Sequence, residues 1–265
     1  MKTKKLISSV LVFLITSIAF MGCGQKQENT TKSSSKDKKE LLIYCGAGLN
    51  KPMEEIGKSF EKKYGVKIQY TYANASQLIG QMEVSHKGDI CVLPSDEDYN
   101  TANKKNLTLE KKDLAYHIPV IAVPKGNPAG ITNIKDLSKP GVKIILGDPK
   151  TSPLGMLASK LFVKAGIEQQ TKNNIVSTVT TVNEIVTFLS AKKADASIIW
   201  EDNALNAAKN IDIVQIPEKE NLIKVIPIAA LKSSKETELS KKFIDFTASD
   251  EGKAIFVKYN LKPIK

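Results

Sequence analysis

Residues 41–72 read LLIYCGAGLNKPMEEIGKSFEKKYGVKIQYTY. Leu41–Tyr44 is a short apolar run of the kind that forms a buried strand, and Cys45-Gly-Ala-Gly48 turns the chain with small residues. Met53, Ile56, Phe60 and Tyr64 then recur at helical spacing, which predicts a helix over Asn50–Tyr64. Asn50 is placed to cap it, Pro52 suits its first turn, Glu54 and Glu55 complement its dipole, and Gly65 ends it. Val66–Tyr72 alternates and is rich in β-formers, so a second strand follows. Strand–helix–strand in this order predicts parallel pairing with a right-handed crossover.

The same rhythm continues on the C-terminal side. Ser76 is placed to cap a helix over Gln77–Val84, Asp89–Leu93 reads as a third buried strand, and Pro94-Ser-Asp-Glu97 opens a short helix. In such sheets ligands sit beyond the carboxyl ends of the strands, here Cys45–Gly48, Ala73–Ser76 and Leu93–Asp96. His117–Pro124 is strongly apolar and is the candidate strand crossover, and after the turn Lys125–Pro128 the alternation restarts. Strands are expected at Val142–Leu146, Ile175–Val179 and Ala196–Trp200, with helices at Leu154–Ala165 and Val182–Ala191 between them. Two more strands (Ile213–Ile216, Leu222–Ala230) and two helices (Thr237–Thr247, Glu251–Tyr259) close the chain. The fold class expected is α/β with two lobes, each a mostly parallel sheet flanked by helices, and crossover strands as the hinge. Lobe 1 covers about 40–118 plus 229–265, lobe 2 about 119–228, within a folded domain of 40–265.

The first forty residues are of a different kind. Met1–Lys5 is basic, Leu6–Phe20 is apolar but shorter than the roughly twenty residues of a membrane span, and Met21-Gly22-Cys23 follows. A Cys after a small residue at the end of such a run looks like a bacterial lipobox, with Phe20 where Leu is usual. The expectation is a signal peptide over 1–22, a lipidated Cys23 and a tether over 23–39. Gly24–Lys39 has no apolar side chain, so it cannot offset its ordering entropy by burial. The protein is thus expected outside the cytoplasm, anchored to the cell membrane by lipid.

Composition excludes more than it assigns. The formal charge is +11, falling to about +8 once Lys2, Lys4 and Lys5 leave with the signal segment. Every basic residue is Lys, scattered and without interleaved aromatics, so nucleic acid is not an expected partner. There is no GxSxG, P-loop, HExxH or GxGxxG motif, no CxxC and no zinc-type cluster. His86 reads as solvated and His117 as packed, and nothing in the sequence supplies a base for Cys45. No catalytic residue, metal or cofactor is expected, and the chain does not read as an enzyme. It does offer helix N-termini at strand ends, at Gly46–Asn50, Asn74–Ser76 and Ser152–Leu154. Exposed N–H groups there make ready anion sites without Arg.

Several segments, in order over nearly the whole folded part, carry a family resemblance. They are IYCGAGLNKPMEEIGKSFEKKYGVKI, ANASQLIGQMEVSHKGDICV, VKIILGDPKTSPLGMLASKLF, ADASIIW and the ending EGKAIFVKYNLKPIK. This part resembles the periplasmic molybdate-binding proteins and their wider class of extracellular solute-binding proteins. The resemblance implies two lobes closing on a small oxyanion, a monomer, and delivery to an ABC permease. Carried over by position, the family's two anion-binding serines fall on Gly48 and on Ala75, with Ser76 beside the latter. The second-lobe backbone donors fall on Leu154 and Val182, and the site tyrosine on Trp200. Both serine hydroxyls are missing, and Ser76 and Ser152 are the candidate substitutes.

Glu201 and Asp202 are unusual neighbours for an anion. Either they point to solvent at a lobe edge, or the ligand differs: an anion carrying hydroxyl or amine groups, or a metal. Tungstate-binding relatives use carboxylates as direct ligands, and Glu201 is roughly placed for that role, though Ser152 stands where the partner Asp would be. The alternative to transport is a surface antigen or adhesin of the same fold that binds a small organic anion, where a Trp near this position also occurs. Cys45 and Cys91 could form a disulfide, pack as two thiols, or act as soft ligands at the cleft.

Overall fold

The computed structural model describes residues 39–150 and 152–265. The expected signal segment, Cys23 and the tether up to residue 38 lie outside the described residues. Among the described residues no helix is long and apolar enough to cross a membrane.

The chain opens with strand β1 (Glu40–Gly46), a 3-10 turn at Ala47–Leu49, helix α1 (Asn50–Tyr64) and strand β2 (Lys67–Ala73). Met53, Ile56 and Phe60 are fully buried along one face of α1. Gly65 ends the helix in the left-handed region at φ 68°, its N–H donating to the Glu61 carbonyl. The start differs from expectation: Asn50 is already helical, and no side chain caps α1. Helix α2 (Ala75–Ser85), strand β3 (Ile90–Val92), helix α3 (Asp96–Lys104) and strand β4 (Thr108–His117) follow. The cap of α2 is Asn74, whose Oδ1 accepts from Gln77 N at 2.9 Å, and Ser76 is an exposed first-turn residue. The helix begins two residues earlier than the apolar pattern suggests.

The apolar run around His117 is two strands. β4 ends at His117, and β5 (Pro119–Pro124) begins after Ile118 and joins another sheet. Pro119 has no N–H and disfavours helical geometry at Ile118, which suits a place where the backbone changes sheets. Beyond it lie strand β6 (Ile144–Gly147), helices α4 (Pro153–Ala165) and α5 (Glu168–Lys172), strand β7 (Ile175–Val179), helix α6 (Val182–Ser190) and strand β8 (Ser197–Trp200). Helix α7 (Glu201–Asn206), strands β9 (Ile211–Val214) and β10 (Lys224–Leu231), helices α8 (Thr237–Ala248) and α9 (Asp250–Lys258) and strand β11 (Lys262–Pro263) complete the chain.

Six strands form one sheet in the order β11-β4-β10-β3-β1-β2, and a second region holds β8-β5-β9 and the pair β6-β7. β1 pairs in parallel with β2 and β3, whereas β10, β4 and β11 are antiparallel additions. β5 is antiparallel to both β8 and β9, and β6–β7 is parallel. The sheets are therefore more mixed than strand–helix alternation predicts, because the crossing strands run back through each lobe. β10 pairs with β4 from Lys224 onward, so the return crossing precedes Lys224, and the expected boundary at 229 falls inside this strand.

Three apolar clusters follow from this topology. Leu41, Ile43 and Cys45 face α1, α8 and α9, packing with Phe60, Phe243 and Phe256. Tyr44 and Cys91 lie on the opposite face of the same sheet, against Leu78, Ile79 and Met82 of α2. The second lobe is filled by Val120–Val123, Ile144–Leu146, Leu161, Phe162 and Ile198–Ile199. Register settles the cysteine question. Tyr44, not Cys45, is paired with Cys91, so the two thiols point to opposite faces, and both are free and buried. Neither lines the cleft.

Two close approaches fall within the sequence segments that carried the family resemblance. A Cβ on Gly155, in the first turn of α4, would lie 2.2 Å from the Gly147 carbonyl at the end of β6. A Cβ on Gly252, in the first turn of α9, would lie 2.1 Å from the Thr247 carbonyl in α8. Only glycine lets these helix starts seat so tightly.

Candidate functional site

A cleft of about 600 Å³ is lined from both lobes. The six-stranded lobe contributes Gly46–Pro52, Ala73–Ala75 and Pro94; the second lobe contributes Ser152–Leu154, Thr180–Asn183 and Trp200 with Asp202 and Asn203. Each of these segments but Pro94 is the start of a helix: α1, α2, α4, α6 and α7 all begin at the cleft. Five N-termini thus bring partial positive charge and free N–H groups to one space.

The starts are not alike. α2, α4 and α6 are capped by Asn74, Ser152 and Thr181; the last forms a capping box with Glu184. α1 and α7 have no side-chain N-cap; in α1 the Lys51 N–H donates to Asn50 Oδ1 at 2.8 Å, and in α7 the Glu201 N–H donates to the Ile118 carbonyl at 2.8 Å. Lys51 is the lysine of the lining, and Asn50, Asn74, Asn183, Asn203 and Asn206 add side-chain amides.

Of the sequence-predicted site residues, Gly48, Ala75, Ser152, Leu154, Val182 and Trp200 line this cleft together. Ser76 and Glu201 do not. Ser76 is exposed one position beyond the lining, and the Glu201 carboxylate accepts from Gln215 Nε2 at 2.7 Å. Among the described residues no group of three or more His, Cys, Asp or Glu side chains is arranged to hold a metal ion.

Sequence reasoning missed the His117–Asp202 pair. Solvent exposure at a lobe edge is not what Asp202 shows: its side chain is 7% exposed and that of His117 is 5% exposed. His117 Nε2 lies 3.6 Å from Asp202 Oδ1, beyond hydrogen-bond length, and both His117 Nδ1 and Asp202 Oδ1 lack partners. Asp202 Oδ2 accepts from Asn203 Nδ2 at 2.9 Å. Burial pushes the Asp202 carboxyl up to about 7, with Glu201 adding to the effect. Burial likewise depresses the His117 imidazole to about 3, against a smaller opposing pull from the Pro94 carbonyl. The imidazole is packed as the sequence suggested, stacked on Trp200 with centroids 3.6 Å apart. Nothing in the sequence marks the pair, because it depends on β4 and β8 ending side by side.

Two α/β lobes joined by crossing strands, with helix starts from both lining the space between them, define a two-lobed solute-binding fold of the periplasmic-binding-protein kind. The chain belongs to the bacterial extracellular solute-binding protein family, whose family model spans residues 41–261. It is 27% identical over 226 residues to a protein named putative binding protein from Haemophilus influenzae, covering 85% of this chain and 92% of that one. Its fold matches the substrate binding domain of a putative molybdenum ABC transporter from Clostridium difficile, with a TM-score of 0.73 at 23% identity, covering 85% of this chain and 99% of that one. L-phospholactate-bound PEB3 matches with a TM-score of 0.67 at 22% identity, over 84% of this chain and 99% of that one. Other relatives carry the names molybdate-binding protein and sulfate-binding protein, and iron-bound HitA from Pseudomonas aeruginosa is among the structures of similar fold.

Proposed function

We propose that this protein is a lipid-anchored, monomeric solute-binding protein outside the cytoplasm that closes on a small oxyanion and delivers it to an ABC permease. The observation that carries this reading is the convergence of five helix starts from both lobes on one cleft. Peptide N–H groups would neutralise the charge, with Lys51 as the cation, and a hinge at the crossing strands would close the lobes. The molybdate and sulfate named in relatives fit such a donor set. The site is read as non-catalytic: the Ser152 and Thr181 hydroxyls of the lining are used as helix caps.

A second reading has an observation of its own. The resembled family's two serine positions carry Gly48 and Ala75, and the lining has five asparagines, which both donate and accept. That suits a small organic anion with hydroxyl groups, in a surface antigen as readily as in a transporter. Calorimetric titration with molybdate, tungstate, sulfate, phosphate and small carboxylates separates the two. Tightest binding of molybdate or tungstate supports the first reading, tightest binding of a hydroxylated carboxylate supports the second, and no heat with any of them overturns both.

A further inference from the structure

Between the lobes, one contact joins groups that neither lobe satisfies alone. His117 is the last residue of β4 in the six-stranded sheet, and Asp202 lies in the first turn of α7 in the second lobe. The backbone there is tied: Glu201 N donates to the Ile118 carbonyl at 2.8 Å, and Trp200 is paired with Pro119. The side chains are tied only in part, Asp202 Oδ2 accepting from Asn203 Nδ2 at 2.9 Å. His117 Nδ1 and Asp202 Oδ1 are buried without partners, Nε2 and Oδ1 stand 3.6 Å apart, and both residues line the cleft.

We propose that His117 and Asp202 hold one proton between them at the hinge end of the cleft, and that anion capture requires the pair to keep it. The proposal rests on anion binding in this cleft. A buried carboxylate with one oxygen left without a partner is costly, and a proton on either residue gives the other something to meet. With the proton the pair is neutral; without it the pair carries a negative charge on the wall of a cleft otherwise built to attract anions. A bound anion therefore favours the protonated pair, whichever atom holds the proton. Closure of the lobes needs to shorten the Nε2–Oδ1 separation only by a few tenths of an ångström to make it a hydrogen bond.

The surroundings bear on the sign. Glu201 on the same helix adds negative charge and favours retention of the proton. Lys51 at the start of α1 lies across the cleft and opposes it. Where β10 runs beside β4, Lys224 is opposite His117 in register and is neutralised by Glu97 of α3. Tyr259, just after α9, lines the cleft but its hydroxyl is engaged by Glu55. The starts of α2 and α4 bring Asn and Ser and no charge, and the start of α6 brings Thr181 with the Glu184 carboxylate, which is engaged by the Thr180 and Thr181 N–H and hydroxyl groups. The Asp202 carboxyl, held near neutrality by burial, places the transition where it can be measured.

Trp200 is the only tryptophan of the chain and stacks on His117, so its fluorescence reports the pair without any ligand. Fluorescence is followed from about pH 5 to pH 9 in the wild type and in Asp202→Asn. Sulfate and molybdate, whose own charge is constant in that range, are titrated calorimetrically in buffers of different ionisation enthalpy. The expected result is a fluorescence transition near neutrality that Asp202→Asn abolishes. With it goes uptake of up to one proton per anion and an affinity falling by up to about tenfold per pH unit above the transition. A flat wild-type fluorescence curve overturns the proposal whether or not an anion binds, and so does a transition with pH-independent affinity. A transition with no anion bound at any pH removes the anion reading itself, and the proposal with it.

Discussion

The His117 imidazole lies nearly parallel to the Trp200 indole, 19° between planes and 3.6 Å between centroids. One ring ends β4 of the six-stranded sheet and the other ends β8 of the second lobe, so the stack spans the first crossing between lobes. The cleft therefore has an aromatic wall at its hinge, and the neighbouring Asp202 shares that wall.

Asp202→Asn should stabilise the fold at high pH. The folded carboxyl titrates at about 7 against an ordinary 3.8. Between those values the native state binds a proton that the unfolded chain has released, so this group's contribution falls as pH rises through the window and is constant above it. His117, depressed to about 3 from 6.5, acts oppositely, costing stability as pH falls below 6.5. That term is common to both proteins to first order. The variant is expected to be more stable by roughly 1–3 kcal/mol at about pH 8, with the difference shrinking toward pH 5, as read from urea melts. A variant less stable than wild type at pH 8 would mean that the carboxylate is paired.

Gly155→Ala should be among the most damaging single-methyl additions. Its Cβ has backbone 2.2 Å away at Gly147, which no side-chain rotation relieves. The start of α4 must then move away from β6, at a cost of about 1–3 kcal/mol or more, and the cleft loses the position of Ser152 and Leu154. Thermal melts and anion titration of the same preparation check this; an unchanged melting temperature would show that the helix start can shift freely.

Thr181→Ala removes one half of the α6 capping box. Thr181 Oγ1 accepts from Glu184 N at 3.3 Å, and Glu184 Oε2 accepts from Thr181 N at 2.9 Å. The expected loss is about 1 kcal/mol, with weaker anion binding because the frayed turn lies on the cleft. Thr181→Ser should restore most of both. Equal losses in Ser and Ala variants would point to packing of the methyl group instead.

Cys45 and Cys91 should stay unmodified by a thiol reagent in the native protein and react once it is unfolded, as read by peptide mass spectrometry. Both are buried, which pushes the Cys91 thiol up to about 12 and Cys45 also upward, so neither is a thiolate at neutral pH. A Cys45–Cys91 crosslinked peptide from native protein would contradict the β1–β3 register.

The sequence by itself determined the order of elements, because periodicity and punctuation are local. The helix at Asn50–Tyr64 and the strand at Ile175–Val179 have the bounds that their patterns predict. It also determined that no arginine would be available to an anion. Thr108–His117 is not legible as a strand because the charged, largely exposed run Glu110–Asp113 interrupts any apolar alternation. Most of the cleft was legible for a related reason: helix starts at strand ends are local features, and the parallel order of strands puts them on one side of a sheet.

Only the tertiary structure decided how those starts meet and what else stands among them. The cap of α2 at Asn74, the uncapped α1 and the opposite faces of Cys45 and Cys91 depend on backbone geometry and register. The His117–Asp202 pair depends on more. Its members are 85 residues apart, and they face each other because the chain leaves one sheet at Ile118 and the second lobe returns β8 alongside. Burial, which sets their charge, is a property of that juxtaposition and of neither residue alone.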